Sequence, residues 1–366
     1  MKRRLAALFM AGVMCAGLAA CGQSAETETT AAAAETETAA ESKTEAETEA
    51  ETAEAAEETE ASGKEAELSG KVTVYMPSPA GLADNLAALF TEQTGVEVEQ
   101  FQGTTGEILA RLETEEANPV ADVVILASWS DGLSMKAEDK IESYTPANAD
   151  KANWIDDDSM LFGTSASAVG VIYNTTVYPE LSVDWDGLSA GDYTDDIAIP
   201  DPEKSGACKD FLAGLVTGVE DGEAIMESWA ENGLTVPGAN AAALEAVTTG
   251  EKGILIAGVD YNAYSSINKG EPINIYYPET GTVVNPRPAM IMKTAPNMDN
   301  AKAFIDFLYS DEAQQLVADA YLLPGREDIK CENRTNLEDI PQIETDWDAM
   351  MEVADDTAAK LNELCQ

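Results

Sequence analysis

The sequence has 366 residues and a formal net charge of −47, with 68 Asp and Glu against 21 Lys and Arg and no histidine. A chain this acidic repels nucleic acid, so a nucleic-acid role is excluded. The lack of histidine rules out Ser–His and Cys–His catalysis and the usual Cys/His zinc sites.

Lys2, Arg3 and Arg4 precede an apolar stretch from Leu5 to Ala20, shorter than the roughly 20 residues a membrane-spanning helix needs. Residues 1–20 are therefore expected to be a secretory signal peptide. Leu18-Ala19-Ala20-Cys21 resembles a bacterial lipobox, with Cys21 as the lipidated residue after cleavage and the membrane surface as a partner. Residues 21–68 continue as a Glu/Thr/Ala tether; between Ser24 and Leu68 there are 15 Glu and two Lys. Like charges repel, and almost nothing larger than Ala is available to bury, so this segment is expected to stay disordered and extended. A lipid followed by a long acidic tether suits the outer face of a Gram-positive cell membrane better than a narrow periplasm.

The folding part begins near residue 69. About 300 residues exceed one core and suggest two lobes. Residues 71–76 read as a strand closed by Pro77-Ser78-Pro79, and 82–94 as a helix with Leu82, Leu86, Leu89 and Phe90 on one face and Gly95 as its stop. A second strand follows at 96–101. After Gly103-Thr104-Thr105-Gly106 comes a helix with Ile108, Leu109 and Leu112 inward, ended by Pro119. Residues 122–127 form a third, apolar strand. Strand and helix alternating in this way predict a parallel α/β sheet.

The pattern restarts with strands at 169–174 and 197–199, helices at 209–216, 223–232 and 240–249, and a strand at 253–258. Residues 283–292 read as extended again, and helices are predicted at 300–309, 312–319 and 346–364. Cys331 and Cys365 are candidates for a disulfide in an oxidising exterior, with Cys208 a lone buried thiol; the sequence leaves the pairing open.

In this order the motifs GTTGEILARLETEEANPVADVVI, VYMPSPAGL, FTEQTGVEVE, SASAVGVIYN, IAIPDPEKSGA, PINIYYPETGT and AKAFIDFLYSDEAQQLVADAYLLPGRED resemble the extracellular solute-binding proteins of bacterial ABC importers, of the ferric-iron, phosphonate and sugar-phosphate type. The resemblance runs from about Gly70 to Ile329 and implies an α/β, two-lobed Venus-flytrap (type II periplasmic binding protein) fold. Residues 69–166 with 283–366 would make lobe 1 and residues 167–282 lobe 2, with hinge crossovers near 164–169 and 281–286. It further implies a small-molecule ligand held between the lobes at strand C-terminal ends, an ABC permease with its ATPase as partners, a monomer, no cofactor and no enzymatic activity.

The site residues follow. Read alone, the Gly-Thr-Thr-Gly turn is a strand–helix connection with threonine caps. With the other motifs it becomes a ligand contact in which Thr104, Thr105 and Gly106 offer hydroxyls and backbone N–H groups at a helix N-terminus, where an anion is favoured. Ser205, Gly206 and Ala207 do the same from the second lobe. Ser78 adds a third contact, Ser128 and Trp129 follow the third strand, Ser165 and Ala166 lie at the crossover, and Asp260 and Tyr261 follow the 253–258 strand. This donor-rich set suits a phosphonate or organophosphate. A ferric site is the alternative, but iron-binding members use an adjacent tyrosine pair where this chain has Tyr261-Asn262, and Tyr276-Tyr277 falls later, so no metal ligands are assigned. A polyamine-type cation on Trp129, Asp131 and Asp260 is a third possibility.

Overall fold

The computed structural model describes residues 68–79 and 81–366. The signal peptide, Cys21 and the tether up to residue 67 lie outside the described residues. Among those described, no helix is long and apolar enough to cross a membrane.

The first lobe is built from β1 (Lys71–Met76), α1 (Leu82–Thr94), β2 (Glu97–Gln102), α2 (Thr105–Glu115), β3 (Val123–Ile125), α3 (Trp129–Ala137) and β4 (Ile141–Glu142). A long strand, β5 (Phe162–Asn174), leads into β6 (Ile197–Ala198), α4 (Gly206–Gly218), α5 (Gly222–Glu231), α6 (Asn240–Thr248), β7 (Ile254–Val259), α7 (Asp260–Asn268) and β8 (Ile273–Tyr276). The chain returns through β9 (Val284–Met292) to α8 (Met298–Leu308), α9 (Asp311–Asp319), β10 (Leu323–Pro324) and α10 (Trp347–Leu364).

β1 pairs in parallel with β2 and β3, while β9 runs antiparallel to β3 and β5, giving the order β2-β1-β3-β9-β5-β7-β6. β5 carries the chain from one lobe to the other: Phe162 to Ala168 pair with β9, and Val169 to Asn174 pair with β7 and β8. β5 thus runs from one lobe into the other, and the chain returns between β8 and β9, with β9 pairing with β3, β4 and the first half of β5. Gln314 of α9 ties β5 to the first lobe, its Nε2 donating to the Thr164 and Leu308 carbonyls at 2.8 and 2.7 Å and its Oε1 accepting from Gly325 N–H at 2.7 Å.

Local chemistry explains most of the elements. Gly95 takes the left-handed conformation (φ +76°) that ends α1, and its N–H reaches the Thr91 carbonyl. Thr104 and Glu107 form a reciprocal capping box on α2. In the first lobe Phe90 packs between Phe304 and Phe307, with ring centres 5.1 and 5.3 Å away; in the second, Trp185 packs on Phe211 at 4.7 Å and donates its indole N–H to the Gly281 carbonyl at 2.7 Å. The C-terminal helix α10 lies against α3, α4 and α5.

Two helices go beyond the sequence reading. α3 is separated from β3 by three residues and contains Gly132, where an added Cβ would lie 2.6 Å from Leu161; the glycine needed for packing masks the helix. α7, DYNAYSSIN, is made of weak helix formers and relies on the surrounding fold. The disulfide option is corrected: Cys208, Cys331 and Cys365 are free thiols. Cys331 donates to the Leu322 carbonyl at 3.2 Å, and Cys365 caps the end of α10.

Candidate functional site

Four helices, α2, α3, α4 and α7, start at strand ends where the lobes meet. The turns singled out from the two lobes converge there. Gly106 at the start of α2 faces the Glu203 carbonyl, which would stand 2.5 Å from an added Cβ, and Gly206 at the start of α4 faces the Ala127 carbonyl and Ser128 Cβ at 2.6 and 2.7 Å. Neither glycine has a positive φ; each is needed for close approach of the opposite lobe.

The hydroxyls differ in what they have left to give. Thr105 is buried and its Oγ1 accepts from Ala127 N–H at 3.2 Å, so its proton is unspent. Thr104 Oγ1 accepts from Glu107 N–H, again leaving a donor. Ser205 accepts from Cys208 N–H and donates to Asn240 Oδ1 at 2.8 Å. Ser78 lies in the half-buried turn after β1. Ala207 is buried in the first turn of α4.

Ser128 and Trp129 hold a feature the sequence reading missed. Ser128 Oγ donates to Asp210 Oδ1 at 3.0 Å and Trp129 N–H donates to Asp210 Oδ2 at 2.8 Å. A carboxylate of α4, from the second lobe, therefore caps the N-terminus of α3 in the first. Next to it Lys209 of α4 pairs with Asp131 of α3 and, at 3.1 Å, with Asp355 of α10. Burial pushes the Asp210 carboxyl up to about 6, Asp131 adds to the rise, and Lys209, Ser130 and Ser128 oppose it. The adjacent Lys209-Asp210 pair inside an otherwise apolar helix was the available signal. The Trp129 ring turns towards Trp347 of α10, 6.3 Å between centres, and borders a cavity of about 650 Å³ lined by α3, the end of α4 and residues 344–348.

Asp260 is fully engaged. It accepts from Arg334 at 2.5 Å, Tyr277 at 3.1 Å, and the backbone N–H groups of Ala168 and Tyr261 at 3.0 and 2.8 Å. With Asp131 held by Lys209, both carboxylates of the cation reading have internal partners. Tyr261 is buried beside Arg287, whose guanidinium carbon lies 5.8 Å from the ring centre. Burial raises the Tyr261 phenol pKa, against the opposing pull of Arg287. Tyr276 and Tyr277 diverge: one bonds the Val183 backbone, the other Asp260. Among the described residues no group of three or more Cys, Asp or Glu is placed to hold a metal ion. On the hinge strand, Ser165 and Ala166 are buried and pair with Arg287 and Pro286 of β9.

Comparison with known proteins agrees with this architecture. The model of the family described as bacterial extracellular solute-binding protein matches residues 118–353, and the chain belongs to that family. The iron uptake protein A1 of Synechocystis is 28% identical over 272 residues, covering 68% of this chain and 73% of the relative. A putative 2-aminoethylphosphonate-binding periplasmic protein of Salmonella typhimurium is 27% identical over 252 residues, covering 66% and 73%. Among solved structures, the periplasmic binding protein P5PA superposes with a TM-score of 0.71 at 22% identity, over 81% of this chain and 100% of that one. The fold is the two-lobed type II periplasmic binding protein fold, and the chain is a solute-binding protein of the ABC-importer class.

Proposed function

We propose that this protein is an extracytoplasmic substrate-binding lipoprotein that captures a small anionic solute, of the phosphonate or organophosphate class, between its lobes and delivers it to an ABC permease and its ATPase. Lobe 1 (residues 69–166 with 283–366) and lobe 2 (167–282) close on the ligand as a monomer, held by Cys21 to the outer face of the cell membrane. The reading rests above all on the start of α2: Thr104 and Thr105 keep unspent hydroxyl donors at a helix N-terminus that faces the start of α4. Helix N-termini and hydroxyls bind oxyanions through short, charge-assisted hydrogen bonds that the global negative charge barely weakens inside a closed cleft. The 27% identity to the putative 2-aminoethylphosphonate-binding protein is in keeping with it.

The iron uptake relative and the gathering of Tyr261, Tyr264 and Tyr277 about Asp260 favour a second reading, a ferric site. Two arginines in the same neighbourhood, Arg287 and Arg334, oppose a trivalent cation there. Calorimetric titration of the purified protein with inorganic phosphate, 2-aminoethylphosphonate, ferric citrate and spermidine separates the readings. Saturable binding of a phosphate or phosphonate is expected. Uptake of stoichiometric iron with a visible tyrosinate band, or binding of spermidine alone, would sink the anion reading.

A further inference from the structure

Among the described residues three arginines are buried, and two have carboxylate partners: Arg326 bonds Asp311 and Asp328 at 2.6 and 2.7 Å, and Arg334 bonds Asp260 at 2.5 Å. The third, Arg287 of β9, is 2% exposed and has no carboxylate within ion-pair distance among the described residues. Its Nη2 donates to the Pro77 carbonyl, which leaves most of its five N–H donors without an acceptor. Asp260, whose charge acts on Arg287, is already tied to Arg334, Tyr277 and two backbone N–H groups. The neighbourhood thus holds two buried cations to one carboxylate, and an uncompensated buried cation is costly.

The strands beneath it are sorted by face. Ser165 opposes Arg287 and Ser167 opposes Asn285 in the β5–β9 register, so alternation puts these four on one face of the hinge. Ala166, Ala168 and Val284, on the other face, pack with Leu323 and Ile340. A buried hinge would be apolar on both faces if it served packing alone. On the polar face Ser167 Oγ and Asn285 Oδ1 have no hydrogen-bond partner although both residues are fully buried. Asn285 Nδ2 reaches the Ala127 carbonyl at 3.4 Å, the carbonyl that Gly206 faces. Pro286 and Pro288 flank Arg287 and restrict the backbone on either side of it. The guanidinium therefore lies between Pro77 at the end of β1 and Tyr261 at the end of β7, one from each lobe.

We propose that Arg287 is the charged anchor of the ligand site, binding the oxyanion of a phosphate or phosphonate group in two-pronged fashion with the Ser167 hydroxyl as a further donor beside it. This rests on the anionic-solute reading above and names the residue that supplies the countercharge. Because Arg287 lies between Pro77 of the first lobe and Tyr261 of the second, an oxyanion on it also links binding to closure.

The test is calorimetric titration of wild type, Arg287→Met, Arg287→Lys and Asn285→Asp with inorganic phosphate and 2-aminoethylphosphonate, alongside melting of the ligand-free proteins. Arg287→Met is expected to weaken binding about a hundredfold or more. Arg287→Lys, which keeps the charge and loses the planar fork, should fall between it and wild type. The ligand-free Arg287→Met protein should melt no lower than wild type, because an uncompensated buried charge has been removed; a purely structural arginine would give a lower midpoint. Should Arg287→Met fail to melt cooperatively, Asn285→Asp decides: its carboxylate supplies an internal counter-ion, so binding should be lost and the melt retained. Exposed Lys330→Gln is the unaffected control. Wild-type binding that persists within about threefold in Arg287→Met, or in Asn285→Asp where that variant decides, overturns the Arg287 assignment alone. Wild type binding neither probe overturns the anionic-solute reading together with it.

Discussion

Thr105 gives its hydroxyl oxygen to the Ala127 N–H and keeps its proton, which makes it the side chain of the α2 turn best prepared to donate to a bound oxyanion. A hydrogen bond to a charged group is worth about 1.5–3 kcal/mol, so Thr105→Ala should weaken solute binding about ten- to hundredfold in a calorimetric titration. Thr105→Ser should restore most of it. Ser205, whose proton already goes to Asn240, should be less sensitive. Thr248 bonds the Glu245 carbonyl on the exposed side of α6, and Thr248→Ala should bind as wild type does. Gly206 makes a different demand. A side chain there would stand 2.6 Å from the Ala127 carbonyl oxygen, and neither that backbone nor the strand behind it can retreat cheaply. Gly206→Val should fold, because its φ is ordinary, yet fail to close. The check is small-angle scattering with saturating solute: wild type should contract and the variant should not, and a variant that contracts normally would refute the close-approach role.

The contact between α3 and α4 holds a carboxyl whose titration links stability to pH. Asp210 of α4 receives Ser128 and Trp129 of α3, with Asp131 and Lys209 the charged groups facing it and Asp355 of α10 beyond Lys209. Its carboxyl is raised from 3.8 to about 6 where the lobes meet. A carboxyl pKa raised above the free value means that the folded state is favoured with Asp210 protonated. That contribution is complete below about pH 4 and is lost as pH rises through about 6. The melting midpoint of the ligand-free protein, as far as it depends on Asp210, should therefore fall between about pH 5 and 7.5. Asp210→Asn, uncharged throughout, should flatten the profile, and an unchanged profile in that variant would remove Asp210 as the titrating group. The same contact shows why α3 escaped the sequence reading: its N-cap partner comes from residue 210, far along the chain, and its Gly132 answers to Leu161.

At the scale of the whole molecule, the proposed signal and tether would set where the protein works. A formal charge of −47 keeps it soluble and away from polyanions. One acyl-bearing cysteine after a basic and apolar leader would keep it at the membrane surface. Cys21→Ala should shift the protein from the membrane fraction to the medium, read by fractionation and immunoblot; retention in the membrane with normal signal processing would exclude anchoring through Cys21. Held in this way, the binding lobes would stay near a permease, which would raise the local encounter rate without any new contact.

Periodicity and breakers in the sequence determined the order of elements. The alternation of 71–127 and the restart at 169 are local patterns, and α1, β1 and β9 emerged within a residue of their predicted bounds because Gly95, Pro77 and the apolar run at 283–292 act through neighbouring residues alone. That Gly106 and Gly206 would each face the other lobe came from the family resemblance, since either turn read alone is a plain strand–helix connection. The partners of charges were not legible. That Asp210 would cap a helix 81 residues away, that Asp260 would be consumed by Arg334, and that Arg287 would be buried without a counter-ion are settled by which faces meet when two lobes close. The Ser-Ala-Ser-Ala and Asn-Pro-Arg-Pro alternations at 165–168 and 285–288 gave the faces of the hinge. Only the pairing of β5 with β9 set those faces opposite each other, because a hydrogen-bonded register is a property of two strands and is written in neither one.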